Sequence, residues 1–224
     1  MLAGLLLTSA CLFALQLFLI ATHATSPVGF ARAFYAQMFC HFGVALMVSS
    51  LSNERAEVRL QKVAQTDTLT GIGNRRWLMS MLPAQLPVGS AIAQLDLDHF
   101  KHINDRFGHA AGDRVLRAAA EALGGELRGS DLLARWGGEE FLVYLPDATA
   151  EHAAAVAQRL CRAVQSIHLT EAGEGISVTV SIGMVCVTSG GESWAEWLGA
   201  ADQALYDAKH AGRNRVVVAA GRQT

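Results

Sequence analysis

Leu132-Leu133-Ala134-Arg135-Trp136-Gly137-Gly138-Glu139-Glu140-Phe141-Leu142-Val143-Tyr144-Leu145 is the stretch from which the fold of this 224-residue chain is read. Two apolar runs, Leu132–Trp136 and Phe141–Leu145, flank a Gly-Gly pair. That pattern predicts two short strands joined by a tight hairpin. The glycines are expected to supply positive φ at the turn. Upstream, Ser90–Leu97 reads as a buried strand that ends in carboxylates. Asn74–Leu82, Phe100–Phe107 and Ala111–Leu127 carry helical patterns, the first stopping near Pro83. Downstream, Thr149–Ile167 and Trp194–His210 read as helices, Ser177–Val187 alternates like a strand, and Arg215–Ala219 reads as a closing strand. Helices and strands interleave around at least one antiparallel pair. The expected class is a mixed α/β sandwich on one central sheet.

Two acidic sites stand out. Asp96 and Asp98 fall two residues apart at a strand end, so both are expected to point to one side. The plain reading is a turn, with Asp98 capping the helix that follows; the functional reading makes Asp96 a metal ligand. Glu139 and Glu140 directly follow Gly137 and Gly138. They are either solvated glutamates beside a turn or carboxylates that reach a ligand lying against a backbone without Cβ atoms. If the two strands are neighbours, Asp96 and Glu139 form a hard-oxygen pair suited to Mg2+. Two metal ions clamping a phosphoryl group is a known solution for nucleotidyl transfer.

The N-terminal part is of another kind. Residues 1–51 hold one charged side chain, Arg32, in a chain that is 51% hydrophobic. Leu2–Ala21 is an uncharged run of about 20 residues, enough to span a bilayer as a helix. Ala33–Leu51 is a second such run, bearing Gln37 and His41, and the loop between them holds Ser26, Pro27 and Gly29. The expectation for 1–51 is a membrane segment of two transmembrane helices. A cleaved signal peptide is the rival for the first run, but nothing basic precedes Leu2. The apolar start also suits a longer membrane domain. Arg55, Arg59 and Lys62 follow the second run, against Arg32 alone in the loop. The positive-inside rule then puts the rest of the chain in the cytoplasm, under an inner membrane crossed more than once. Residues 52–66 lack Gly and Pro and place Ala56, Leu60 and Val63 at coiled-coil spacing. A coiled-coil stalk and a lone solvated helix both fit, and residues 67–224 form the domain beyond it.

The formal charge of the whole chain is −2. Residues 1–51 contribute +1 and residues 52–66 another +1, so residues 67–224 carry −4. No basic face for nucleic acid is implied. An acidic domain handling a polyanion needs metal ions and a few well-placed cations. The four cysteines, Cys11, Cys40, Cys161 and Cys186, have neither metal-knuckle nor redox-pair spacing, and packing is the expected role.

Five blocks occur in one order. They are Asp67-Thr68-Leu69-Thr70-Gly71 with Asn74-Arg75-Arg76; Asp96-Leu97-Asp98-His99-Phe100-Lys101 with Ile103-Asn104-Asp105, Gly108-His109 and Gly112-Asp113; the hairpin Gly137–Phe141; Val180-Ser181-Ile182-Gly183; and Ala208-Lys209 with Gly212-Arg213-Asn214. Together they resemble the GGDEF family of diguanylate cyclases, the hairpin being its GGEEF variant. Ile72 stands where leucine is usual. The resemblance implies a nucleotidyl-cyclase-like, palm-type α/β fold with a central, mostly antiparallel sheet flanked by helices. It implies GTP as substrate and cyclic di-GMP as product and inhibitor. It implies Mg2+, two ions per site and replaceable by Mn2+, held by Asp96, Glu139 and the Leu97 carbonyl. By the same resemblance Glu140 sits near the attacking ribose hydroxyl and helps to deprotonate it. Asn104 and Asp113 read guanine, and Lys209 and Arg213 hold the triphosphate. Lys101 can add a third cation, and Gly137 and Gly138 let the nucleotide approach the backbone.

Lys209 and Arg213 also have a plainer reading, as cations complementing a helix C-terminus with Gly212 just past its end. Asp113 reads equally as an exposed residue at a helix start. Arg128-Gly129-Ser130-Asp131 is by itself an Arg-x-x-Asp string, whose ordinary meaning is a helix-end salt bridge. It stands where the family keeps an inhibitory product site, and arginine's planar fork suits phosphate and guanine edges. Because the family's product is two-fold symmetric and each domain holds one GTP, a homodimer follows, its pose set from the membrane and stalk. The rivals are a catalytically weak module that senses GTP or cyclic di-GMP, a cyclase using another nucleotide, and a membrane scaffold that only dimerises.

Overall fold

The computed structural model describes residues 11, 13–15, 17–19, 26–63, 65–171, 173–190 and 192–219. The chain divides into two compact units, Met1–Leu60 and Gln61–Thr224.

In the first unit the described residues other than Ser26 are helical. The described residues among 11–19 are in helix, and α1 runs Pro27–Val63 without a break. Ser26 Oγ accepts from Gly29 N at 3.2 Å, and Pro27 opens the helix where its missing N–H is harmless. Pro27 and Gly29 thus belong to the first turn of the helix, not to the expected loop. Most of Leu2–Ala21 lies outside the described residues, as do the side chains of Ala56, Leu60 and Val63. Among the described residues, no helix is long and apolar enough to cross a membrane. Large apolar side chains nonetheless stand out along α1: Phe39 is 78% exposed, Met47 67% and Phe42 64%.

The second unit is built on a six-stranded mixed sheet of order β1-β3-β4-β2-β7-β8. The strands are β1 (Gly73–Asn74), β2 (Ala91–Leu97), β3 (Leu132–Arg135), β4 (Glu140–Leu145), β7 (Val180–Cys186) and β8 (Val216–Val218). The three central pairs are antiparallel, whereas β1 runs parallel to β3 and β8 parallel to β7. Helices α2 (Arg75–Met81), α3 (Phe100–Phe107), α4 (His109–Gly125), α5 (Ala150–Gln165) and α6 (Trp194–His210) flank it.

Residues of β2 alternate between two cores. Ala91, Ala93, Leu95 and Leu97 join Phe141, Val143, Ile182, Val115 and Leu160 on one face. Ile92 joins Leu142, Tyr144, Val185, Leu78 and Trp197 on the other. Every β2 residue is buried, so one face covers the sheet with α4 and α5 and the other with α2 and α6. Gly183 makes the second packing possible: a Cβ there would collide with backbone atoms of Ala201 and Leu205 in α6.

Two features escaped the sequence reading. The two-residue β1 is too short to leave a periodic signal. A separate hairpin of β5 (His168–Glu171) and β6 (Glu174–Ser177) has mostly exposed side chains, hence no apolar pattern. Ion pairs tie it to the helices, Arg106 to Glu174 at 2.6 Å and Arg114 to Glu171.

Candidate active site

β2 delivers the first carboxylate. Asp96 pairs with Glu140 across the β2–β4 ladder and with Ser181 across the β2–β7 ladder. One residue on, Leu97 N donates to Glu139 O at 3.2 Å, so the ladder continues into the hairpin turn. Asp96 and Glu139 are thereby brought together, as the neighbouring-strand reading required.

The hairpin differs from the expected tight turn. β3 stops at Arg135 and β4 begins at Glu140, leaving a four-residue connection closed by Trp136 N donating to Glu140 O at 2.8 Å. Neither Gly137 nor Gly138 has φ in the left-handed region. At Gly137 an added Cβ would stand 2.5 Å from Glu140 Oε2, so the Glu140 side chain lies against this glycine and would have to shift for a larger residue. A Cβ on Gly138 would meet nothing, so that side of the turn is open to a ligand.

α6 delivers the cations. Lys209, in its last turn, places Nζ 2.9 Å from Asp96 Oδ2. Burial raises the pKa of Asp96 above its ordinary value. Lys209 and Arg213 pull it down and Asp98 pushes it up, and burial prevails. The Glu139 carboxyl is also raised, by burial first, then by the charges of Asp96 and Glu140, against Lys209. Asp96, Glu139, Glu140, Lys209 and Arg213 therefore share one electrostatic site. Among the described residues, no group of three or more His, Cys, Asp or Glu side chains is placed to hold a metal. Asp96 and Glu139 are neighbouring carboxylates that repel each other, and a divalent cation would relieve that repulsion, so these hard oxygens fit such an ion.

The other expected residues fall on α3, on α4 and in the turn before β3. Asn104 on α3 packs its side chain against Gly112 on α4, where a Cβ would overlap Asn104 Oδ1, and Asp113 follows directly. Lys101 is exposed in the first turn of α3. Arg128 and Asp131 form a turn before β3, but not through a salt bridge. Asp131 Oδ2 accepts from the Arg128 backbone N at 2.8 Å, and the exposed guanidinium has no carboxylate partner among the described residues. Asp98 does not cap α3. The N-cap is His99, at φ 58 with no side-chain bond, while Asp98 turns back to β7.

Two supports went unread in the sequence. Arg135 clamps the hairpin, donating from Nη2 to Gly138 O at 2.7 Å and from Nη1 to both Asp67 oxygens at 3.1 Å. Asp67 in turn accepts from Thr70 N at 2.9 Å and Thr70 Oγ1 at 2.6 Å. Trp136 packs edge-on against Trp194 at 5.8 Å, with the Arg75 guanidinium 4.4 Å from its ring centre. A lone arginine before Gly-Gly and an aspartate 68 residues away carry no local sign that they meet.

An acidic hairpin at the centre of a mixed sheet, faced by helix-borne cations, defines a nucleotidyl-cyclase-like α/β domain. The family described as "Diguanylate cyclase, GGDEF domain" matches residues 64–215, and the chain belongs to that family. It is 43% identical over 162 residues to diguanylate cyclase DgcP of Pseudomonas aeruginosa and 39% identical over 166 residues to response regulator PleD of Caulobacter vibrioides. Each alignment takes in 70% of this chain but only 24% and 36% of those relatives. The crystal structure of the coiled coil and GGDEF domain of DgcB from Caulobacter crescentus, in complex with c-di-GMP, superposes with a TM-score of 0.68. It is 31% identical and covers 80% of this chain and 99% of that one. SiaD of Pseudomonas aeruginosa, solved with its activator SiaC, gives a TM-score of 0.64 at 30% identity, over 97% of this chain and 85% of that one.

Proposed function

We propose that the chain is a diguanylate cyclase, condensing two GTP into cyclic di-GMP with release of two pyrophosphates. The observation that supports this is the Lys209 Nζ contact with Asp96 Oδ2 at 2.9 Å, with Glu139 near enough to feel both charges. Asp96, Glu139 and the Leu97 carbonyl hold Mg2+, or Mn2+ in its place. Such an ion lowers the pKa of a hydroxyl and neutralises charge developing on a phosphate. Glu140, folded over Gly137, stands beside Glu139 to take the proton of the attacking ribose hydroxyl. Lys209, Arg213 and Lys101 bind the triphosphate. Asn104 and Asp113 read guanine, whose N1 and N2 donors suit a carboxylate. Glycines 137 and 138 leave room for the nucleotide.

The reading extends to regulation. The product is two-fold symmetric, so two copies face each other with one GTP apiece, and turnover depends on their relative pose. Residues 1–51 sit in the inner membrane in contact with lipid, 52–66 form a helical stalk, and 67–224 work in the cytoplasm. The exposure of Phe39, Phe42 and Met47, large apolar side chains on one helix, supports a covered α1. Arg128, whose guanidinium has no carboxylate partner among the described residues, takes cyclic di-GMP with Asp131 as a feedback inhibitor. The test is pyrophosphate release from GTP and Mg2+ by wild type and Glu139→Ala. The expected result is turnover in the first and at least about a hundredfold less in the second. Binding of cyclic di-GMP without turnover in wild type would favour a sensor instead.

A further inference from the structure

We propose that Asp98 is a positioning residue for nucleotide binding, holding the turn that presents Arg213. The inference rests on the reading of Arg213 as a triphosphate ligand. Asp98 is 4% exposed and both of its oxygens are occupied. Oδ1 accepts from Ser181 Oγ at 2.6 Å, and Oδ2 accepts from Thr179 Oγ1 at 2.7 Å and from Asn214 N at 3.1 Å. Two of these donors belong to β7 and its approach. The third is the residue after Arg213.

That third bond matters because of the backbone it holds. Gly212, Arg213 and Asn214 have φ of 112, 62 and 44 in succession. Only the first is a glycine, and the left-handed region is one that other residues avoid unless something fixes them there. Arg213 N donates to Ala208 O at 3.0 Å, which closes the end of α6. The Asn214 side chain touches Cys161 Sγ at 3.5 Å from the other side. The Asp98 side chain, reaching Asn214 N at 3.1 Å from a distant part of the chain, adds a third restraint to these two. The same carboxylate follows Leu97 on the chain, so it ties the end of β2, where Asp96 lies, to the Arg213 turn. Asp98 itself is spent on these three donors and has no role at a phosphate.

The test is a double-mutant cycle in the full 224-residue chain. Calorimetry measures binding of GMP and of a GTP analogue with a methylene between its α- and β-phosphorus atoms, which cannot release pyrophosphate. The proteins are wild type, Asp98→Asn, Arg213→Ala and the double variant. Asp98→Asn keeps the volume and one acceptor. The expected losses for the analogue are about tenfold in Arg213→Ala and about threefold or more in Asp98→Asn, with the double variant within about twofold of Arg213→Ala alone. GMP affinity should change by less than about twofold, because the phosphates that Arg213 holds are missing. Multiplying losses in the double variant, or equal losses for GMP, would overturn the inference. Arg213→Ala without any loss would refute the triphosphate reading and the inference with it. A weakened Arg213→Ala beside an unaffected Asp98→Asn overturns the inference alone. If Asp98→Asn melts early, Thr179→Val removes one donor and leaves the carboxylate; a smaller loss in the same direction is expected, and none counts against the proposal.

Discussion

Lys209 Nζ rests 2.9 Å from Asp96 Oδ2, so the cation assigned to the triphosphate neutralises a carboxylate assigned to the metal. The two assignments compete at one oxygen until nucleotide arrives. Lys209→Met should therefore bind Mn2+ more tightly than wild type in the absence of GTP, by about threefold or more, while its GTP affinity falls. Paramagnetic resonance of free Mn2+ measures the first and calorimetry the second. Weaker Mn2+ binding in the variant would count against the competition.

Burial raises the pKa of Asp96 despite Lys209 and Arg213. A carboxyl with a folded pKa above its unfolded one lends stability while protonated, and withdraws it as pH rises through the folded value. At neutral pH the ionised Asp96 thus works against folding. Asp96→Asn should melt higher than wild type at pH 7, and the gap should close as pH falls and the wild-type carboxyl takes its proton. Turnover of the variant should be lost. A lower melting temperature at pH 7 would contradict the electrostatic account.

Asp67 shows the opposite sign. Burial alone would raise its pKa, but the bonds from Thr70 and Arg135 outweigh it and hold the carboxyl below its ordinary value. Its stabilising contribution is present above the unfolded pKa and disappears as pH falls through the folded one. Arg135→Ala should cost about 1–3 kcal/mol at pH 7, because a partly buried carboxylate loses its charged partner and keeps only the two Thr70 donors. It should cost less near pH 3. Since Gly138 O also loses its clamp, kcat should fall more than GTP affinity. Denaturant titrations at the two pH values, with steady-state rates, check all three.

Gly112 is a test of guanine reading without any change of charge. A Cβ there overlaps the end of the Asn104 side chain, not backbone. Gly112→Ala should fold and displace Asn104. It should weaken GTP binding by about tenfold, a typical loss for one well-made polar contact. Inosine triphosphate, which lacks the N2 donor, is the control. If Asn104 and Asp113 read guanine, the preference for GTP over ITP should shrink in the variant. An unchanged preference would remove Asn104 from the specificity site.

The central sheet was legible because its strands bury both faces, leaving short apolar runs between turn residues. Ser90–Leu97 fell within one residue of β2, and Phe100–Phe107 matched α3. Arg215–Ala219 was placed as a strand, but its parallel pairing with β7 depends on the crossover through α6, which no local pattern encodes. Of the two readings of the hairpin glycines, the left-handed turn is not what the backbone adopts, since neither has positive φ. Asp98 was misread as a cap because capping is the common fate of an aspartate before a helix. Its true donors, Thr179, Ser181 and Asn214, come from more than 80 residues away.

The ladder that runs Ala91 against Leu145 through Asp96 against Glu140 has no bulge. Because strand side chains alternate, a one-residue insertion or deletion within β2 or β4 would turn every later side chain to the opposite face. Asp96 would then enter the apolar core, and Leu95 or Leu97 would take its place beside Glu139. A change of length is therefore tolerated in the connections of this domain and not within β2 or β4.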